Sequence, residues 1–276
     1  MRTIYYLNGK FIDSSKALIK VNELGLLRGY GIFDYVRTYD KEPFHLEDHL
    51  RRFFKSASSF NLKPPLSAKE IGRIVLALIK RNKNLRELGF RIVLTGGETL
   101  DGKTSVRPTF LIMVAKPSFF PKEFYSNGVR VLTFDYRREF PETKTTNYLL
   151  AVSQWRDVLR KKAAEILYVW QGKVLEASTA NFFMVKNKIL FTPKTDILKG
   201  VTRKLVIKLA KENGIKVVEK DVSLKESLKA DECFITATDK EIMPVVKIDN
   251  GIIGAGQPGE QTKKLIILFQ KLRENH

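Results

Sequence analysis

The chain has 276 residues, 43% of them hydrophobic, with 49 Lys and Arg against 30 Asp and Glu, for a formal net charge of +19. That length supports a sizeable core and two lobes, and no apolar run approaches a membrane span. The one cysteine, Cys233, excludes an internal disulfide framework and makes the cytoplasm the default location.

The excess charge raises nucleic acid as a partner. The basic residues, however, are spread along the whole chain among acids, with no basic tail, zinc-ligand spacing or RNA-binding sheet signature. We read the charge as a solvated surface with a bias toward anionic small molecules, and expect no nucleic-acid or membrane partner. The histidines are His45, His49 and His276, too few for a metal cluster, and no metal site is expected.

Met1 to Asp13 lacks the apolar core of a signal peptide. Thr3 to Ile12 reads as a hairpin turned at Asn8-Gly9. Leu24 to Gly31 reads as a loop, in which Gly29 and Gly31 answer special backbone angles or a close approach. Phe33 to Tyr39 is strand-like, Glu42-Pro43 turns it, and Phe44 to Leu46 returns. A helix follows from about Glu47, with Leu46, Leu50, Phe53, Phe54 and Ala57 on one face. Arg52 lies off that stripe, either a solvated charge or an anion ligand.

Ser67 to Glu70 is a capping box opening a helix that turns Ile71, Ile74, Val75, Leu78 and Ile79 inward. Arg91 to Thr95 is a strand. Thr109 to Ala115 is a nearly continuous apolar strand, expected to be buried on both faces. Lys116 to Pro121 breaks the pattern, so residues 1–117 and 124–276 are read as two domains joined by 118–123.

The second half opens with a strand from about Gly128. Pro141 to Tyr148 then leads into a helix carrying Ala151, Trp155, Val158 and Leu159 at helical spacing, with Thr145, Thr146 and Asn147 as candidate N-caps. Lys144, just outside that helix start, is either one more surface lysine or a Schiff-base amine on a rigid turn. Short strands follow at 166–170, 173–176 and 181–185. Glu176 precedes the small residues Ala177-Ser178-Thr179-Ala180, either an ordinary strand end or a place where a flat ligand meets backbone. Gly200 before a helix with Thr202 in its first turn is either a plain capped helix or a phosphate cradle. That helix ends at Gly214. A strand at 216–219, a helix at 224–228, strands at 233–236 and 241–246, and a final helix at 261–272 complete the chain.

Taken together these blocks resemble one family, the fold-type IV pyridoxal-phosphate enzymes. These are the class IV aminotransferases acting on D-amino acids or branched-chain amino acids, together with aminodeoxychorismate lyase. The resemblance spans essentially the whole chain. It rests on Arg28 to Tyr35, Arg91 to Gly97, Lys144 to Leu149, Glu176 to Asn181, Leu198 to Arg203, Ala230 to Glu232, Thr236 to Thr238 and Gly254 to Gly259.

The resemblance implies a two-domain α/β (α+β) fold with the cofactor, pyridoxal 5'-phosphate, between the lobes, the larger lobe carrying a barrel-like sheet. It implies a homodimer acting on amino acids and 2-oxo acids. Lys144 matches the Schiff-base lysine, Glu176 the carboxylate at the ring nitrogen, and Tyr148 the tyrosine near the phenolic oxygen. Arg52, Val201, Thr202 and Thr238 match the phosphate ligands; Leu198, Ser178 and Thr179 match the residues beside the ring. Arg28 and Arg91 match arginines that grip substrate carboxylates, the former from the neighbouring subunit. Phe33 stands where the better-known D-amino-acid enzymes have a carboxylate-binding tyrosine, and Thr179 where another group has an arginine. Lys240 follows the phosphate threonine, facing either the pocket entrance or solvent. The implied reaction is transamination by a D-amino-acid or branched-chain enzyme. The alternatives are pyruvate release from aminodeoxychorismate, and a non-enzymatic anion or nucleic-acid binder.

Overall fold

The structure, a computed structural model, describes residues 3–275; Met1, Arg2 and His276 lie outside the described residues, and with them the first two positions of the N-terminal stretch. Among the described residues no helix is long and apolar enough to cross a membrane. The chain divides into two compact units, one of residues 3–118 with 143–147, the other of 119–142 with 148–275.

The first unit contains β1 (Ile4–Leu7), β2 (Lys10–Asp13), α1 (Leu24–Arg28), β3 (Gly31–Tyr39) and β4 (Glu42–Pro43), followed by α2 (Leu46–Ser59), α3 (Ala68–Arg81), β5 (Gly89–Glu98) and β6 (Arg107–Ala115). Its six-stranded sheet has the order β2-β1-β6-β5-β3-β4. The hairpin turns at Asn8 and Gly9, both at positive φ, as an Asn-Gly turn requires. Helix α3 opens with the capping box expected at Ser67 and Glu70. Leu50 and Phe53 of α2 and Val75 and Leu78 of α3 pack on Ile32, Phe90 and Ile92 to form the core.

Two expectations are corrected here. Leu24–Arg28 is a short helix rather than a loop, because the Glu23 carboxylate accepts the Leu26 N–H at 3.0 Å and Gly29, at φ 65°, ends it in the left-handed conformation. Strand β6 buries only one face. Phe110, Ile112 and Val114 are buried while Leu111 and Met113 are half-exposed, the alternation of an antiparallel strand.

The second unit contains α4 (Glu123–Ser126), β7 (Val129–Asp135), α5 (Leu149–Arg160), β8 (Glu165–Trp170), β9 (Lys173–Ala177), β10 (Asn181–Lys186), β11 (Ile189–Thr192) and α6 (Val201–Glu212). It continues with β12 (Val217–Glu219), β13 (Val222–Ser223), α7 (Leu224–Leu228), β14 (Glu232–Ala237), β15 (Glu241–Ile248), β16 (Gly251–Ile252) and α8 (Glu260–Glu274). The ten-stranded sheet runs β12-β11-β10-β14-β15-β7-β8-β9-β13, with β16 on β15. A further pairing, Glu176 of β9 with Asn181 of β10, joins strands far apart in that order and closes β10, β14, β15, β7, β8 and β9 into a ring. Phe182, Ile235, Met243 and Val245 pack in its apolar core, with buried Cys233 among them; burial pushes the Cys233 thiol well above its usual range.

Strands β7 and β8 are parallel, joined by the connector 136–148 and α5. Helix α5 starts later than expected. Its N-cap is Tyr148, which makes no side-chain cap bond. The threonines are used elsewhere: Thr145 bridges Ile32 of β3, and the Thr146 N–H donates to the Gly31 carbonyl at 3.0 Å. Of the α5 stripe, Ala151 and Val158 are buried, whereas Trp155 and Leu159 are exposed.

Candidate active site

In the first unit the chain around Lys144 lies against β3. The Phe33 N–H donates to the Lys144 carbonyl at 2.9 Å, and the Lys144 N–H donates to Ser56 Oγ at 3.2 Å. The Lys144 ammonium is 4.6 Å from the centroid of the Phe33 ring, and the Arg91 guanidinium is 5.5 Å from the same centroid. Gly31 permits this approach, since a Cβ there would stand 2.8 Å from the Thr95 methyl and 3.1 Å from Thr146 Oγ1. Lys144, Phe33 and Arg91, distant in sequence, are thus brought together by backbone pairing.

Arg52 is bound by a buried carboxylate. Its Nε and Nη2 donate to Asp34 Oδ2 and Oδ1, each at 2.8 Å, and His49 Nδ1 lies 2.7 Å from Asp34 Oδ1. Burial alone would push the Asp34 carboxyl up. The Arg52 guanidinium and His49 outweigh it and hold Asp34 well below the usual carboxylate range. Burial is also the largest influence on His49 and pushes its imidazole down; Asp34 opposes this, while Arg52 and Lys144 add to it. Arg28, at the end of α1, donates from Nε to the Gly102 carbonyl at 3.2 Å. Helix α1 is itself anchored by Glu23, which accepts from Gly97 N–H at 2.8 Å and from Thr95 Oγ1.

In the second unit Glu176 stands at the pairing that closes the ring. Its Oε1 accepts from Arg138 Nε at 2.9 Å, and its Oε2 accepts from the Leu198 N–H at 3.0 Å and Asn181 Nδ2 at 3.3 Å. Asn181 Nδ2 also donates to the Leu198 carbonyl at 2.7 Å. Next to it, Ser178 Oγ donates to Glu165 Oε1, and Thr179 Oγ1 donates to Glu165 Oε2 at 2.5 Å. Lys240 does not point to solvent. Its Nζ donates to Thr179 Oγ1 at 2.7 Å, stands 3.5 Å from Glu165, and lies over the Phe120 ring.

Helix α6 begins at Val201 and Thr202, and its N-cap Gly200 supplies no side-chain cap to its first N–H groups. A Cβ at Gly200 would stand 2.2 Å from Asn181 Oδ1, so only glycine brings the helix start this close to Asn181. Thr238 is half-buried in the turn between β14 and β15, and Tyr148 is half-buried at the start of α5. Thr236 Oγ1, one strand across from Asn181, is a buried hydroxyl without a partner.

Each unit holds groups that suit one part of a cofactor with a carbonyl, a basic ring nitrogen and a phosphate. The first unit offers the Lys144 amine; the second offers a carboxylate paired with arginine, and a helix N-terminus with a threonine in its first turn. The comparisons with known proteins decide the family. The family model described as "Amino-transferase class IV" matches residues 31–248.

The chain belongs to the class IV aminotransferases.

This aminotransferase is 40% identical to a Methanocaldococcus jannaschii protein assigned provisionally by its name to the branched-chain-amino-acid aminotransferases, over 97% of this chain and 96% of that one. It is 31% identical to the D-alanine aminotransferase of Bacillus licheniformis, over 95% and 94%. The crystal structure of the Escherichia coli branched-chain amino acid aminotransferase superposes with a TM-score of 0.92 at 27% identity, covering 99% of this chain and 95% of that chain. These names do not favour the lyase alternative. The two-domain fold of the fold-type IV enzymes is thereby established for the aminotransferase.

Sequence reasoning missed Asp34, His49, Arg138, Glu165 and Asn181. Asp34 and Asn181 lie inside the matched blocks, Asp34 among apolar residues, whereas His49 lies outside them beside charged neighbours. Arg138 and Glu165 carry no local signal. The only general clue was that a buried carboxylate demands a cation.

Proposed function

We propose that this aminotransferase carries pyridoxal 5'-phosphate on Lys144 and moves an amino group between an α-amino acid and a 2-oxo acid such as 2-oxoglutarate or pyruvate. The cofactor, when bound, supplies an electron sink for the charge released at the substrate α-carbon. Lys144 Nζ holds the cofactor and then carries the proton. Glu176 offers an anion to the ring nitrogen, with Leu198, Ser178 and Thr179 beside the ring and Tyr148 near its phenolic oxygen. Arg52, the N–H of Val201, and the hydroxyls of Thr202 and Thr238 hold the phosphate. Arg91, Phe33, Arg28 and Lys240 form the substrate set.

The observation that carries this reading is the shared Phe33 ring, with Lys144 and Arg91 at 4.6 and 5.5 Å from its centroid. In this reading Arg91 takes the substrate carboxylate while the Lys144 amine meets the adjacent carbon. The donor is a D-amino acid or a branched-chain L-amino acid, in keeping with relatives named D-alanine and branched-chain-amino-acid aminotransferases. The enzyme acts as a homodimer. In support, Leu26 and Leu27 beside Arg28 are 64% and 45% exposed, an apolar surface that a second copy would cover. Lobes at 1–117 and 124–276 joined by 118–123 are supported by the absence of strand or helix from Lys116 to Pro121. A cytoplasmic location rests on the single buried cysteine.

The test is a half-reaction screen on purified protein loaded with pyridoxal phosphate. Borohydride should fix the cofactor to the Lys144 peptide by mass. Bound-cofactor absorbance should then change on adding D- or L-alanine, glutamate or leucine separately. Conversion by L-leucine alone selects the branched-chain reading and conversion by D-amino acids alone the other. Full turnover in Lys144→Ala would end the proposal.

A further inference from the structure

Glu176 is addressed from two directions. Arg138 Nε and Nη2 both reach its Oε1, at 2.9 and 2.8 Å, whereas the Leu198 N–H and Asn181 Nδ2 reach Oε2, at 3.0 and 3.3 Å. Both partners are withdrawn from water, Arg138 at 17% and Glu176 at 7% side-chain exposure. Arg138 Nη2 also donates to the Pro141 carbonyl, so the guanidinium fastens the connector that carries Lys144. Leu198 belongs to the stretch that leads into α6. One carboxylate therefore joins the connector to the approach of the phosphate helix.

A carboxylate this buried, without a cation, is driven toward its neutral form and is free to rotate. A neutral acid offers the ring nitrogen the wrong partner. Two Arg138 nitrogens on one oxygen prevent both changes, and the two donors on the other oxygen complete the orientation.

We propose that Arg138 is a positioning residue for Glu176, holding it ionised and in one orientation so that the cofactor ring nitrogen meets an anion. This rests on the cofactor reading above. Arg138 acts through Glu176, so its effect vanishes once Glu176 no longer carries a charge.

The experiment is a double-mutant cycle read by binding and spectrum. Pyridoxal phosphate is titrated into wild type, Arg138→Met, Arg138→Lys, Glu176→Gln and the double variant, by quenching of Trp155 and Trp170 fluorescence and by the absorption maximum of the bound cofactor. Arg138→Met is expected to raise Kd by roughly tenfold or more and to move the maximum in the same direction as Glu176→Gln. Arg138→Lys restores part of both. In the Glu176→Gln background, Arg138→Met is expected to change Kd by less than about twofold. An equal loss in both backgrounds, or wild-type affinity and spectrum in Arg138→Met, overturns the proposal. If Arg138→Met does not fold, the double variant, which buries neither charge, decides against Glu176→Gln alone: equal Kd supports and further loss overturns. A wild type that takes up no pyridoxal phosphate defeats the cofactor reading itself, and this proposal with it.

Discussion

The Phe33 N–H donates to the Lys144 carbonyl at 2.9 Å, so Lys144 is fixed by backbone pairing to β3 and not by its neighbours in sequence. Ser56 completes the clamp from α2 by accepting the Lys144 N–H. Ser56→Ala leaves that partly buried donor without its Ser56 partner, at a cost of about 1 kcal/mol. A fall of roughly 2–4 °C in Tm should follow, with weaker covalent loading of the cofactor. Unchanged Tm and loading would show that Ser56 Oγ contributes nothing to the clamp.

Acid should loosen the site that holds Arg52. Asp34 and His49 both have depressed proton affinity in the fold. Where the unfolded chain binds a proton that the fold refuses, stability rises with pH. Stability is therefore lost for His49 as pH falls below about 6.5, and for Asp34 below about 4. Tm measured from pH 8 to pH 5 should fall. His49→Gln should lower Tm at pH 8 yet flatten its slope between pH 7 and 5. An unchanged slope would mean that His49 is not responsible.

Glu23 should matter for Arg28 although it touches no substrate residue. It is 2% exposed and accepts from Leu26, Gly97 and Thr95, capping α1 and tying it to β5. Glu23→Ala removes charge-assisted bonds worth about 1.5–3 kcal/mol each, offset in part because the variant no longer buries a carboxylate. A lower Tm and a raised KM are expected, with kcat less affected. An unchanged KM would separate α1 from substrate binding.

The Glu165 and Lys240 side chains are 1% and 6% exposed and 3.5 Å apart. Breaking such a pair from one side costs about 3–5 kcal/mol, whereas replacing both charges is far milder. Lys240→Met should therefore destabilise more than the double change Lys240→Met with Glu165→Gln, as read by urea unfolding. Equal destabilisation would mean that Glu165 contributes nothing to holding Lys240.

Much of this protein was decided locally. The Asn8-Gly9 turn and the Ser67 capping box are sequence-local because their partners lie within a few residues. The matched blocks around Lys144, Glu176 and Thr202 supplied the site residues proposed above. Where the local pattern misled, a distant contact had won. Thr145 and Thr146 look like helix caps but pair with β3, and Leu24–Arg28 looks like a loop but is capped by Glu23 in contact with Thr95.

Only the tertiary structure decided which arginine serves Glu176, that Asp34 and His49 stand behind Arg52, and that Lys240 turns inward to Glu165. The physical reason is the same in each case. A buried charge must be paired, a requirement that composition makes visible, but the partner is chosen by strand register and by the crossing of distant segments. A linear pattern of residues does not encode that choice locally.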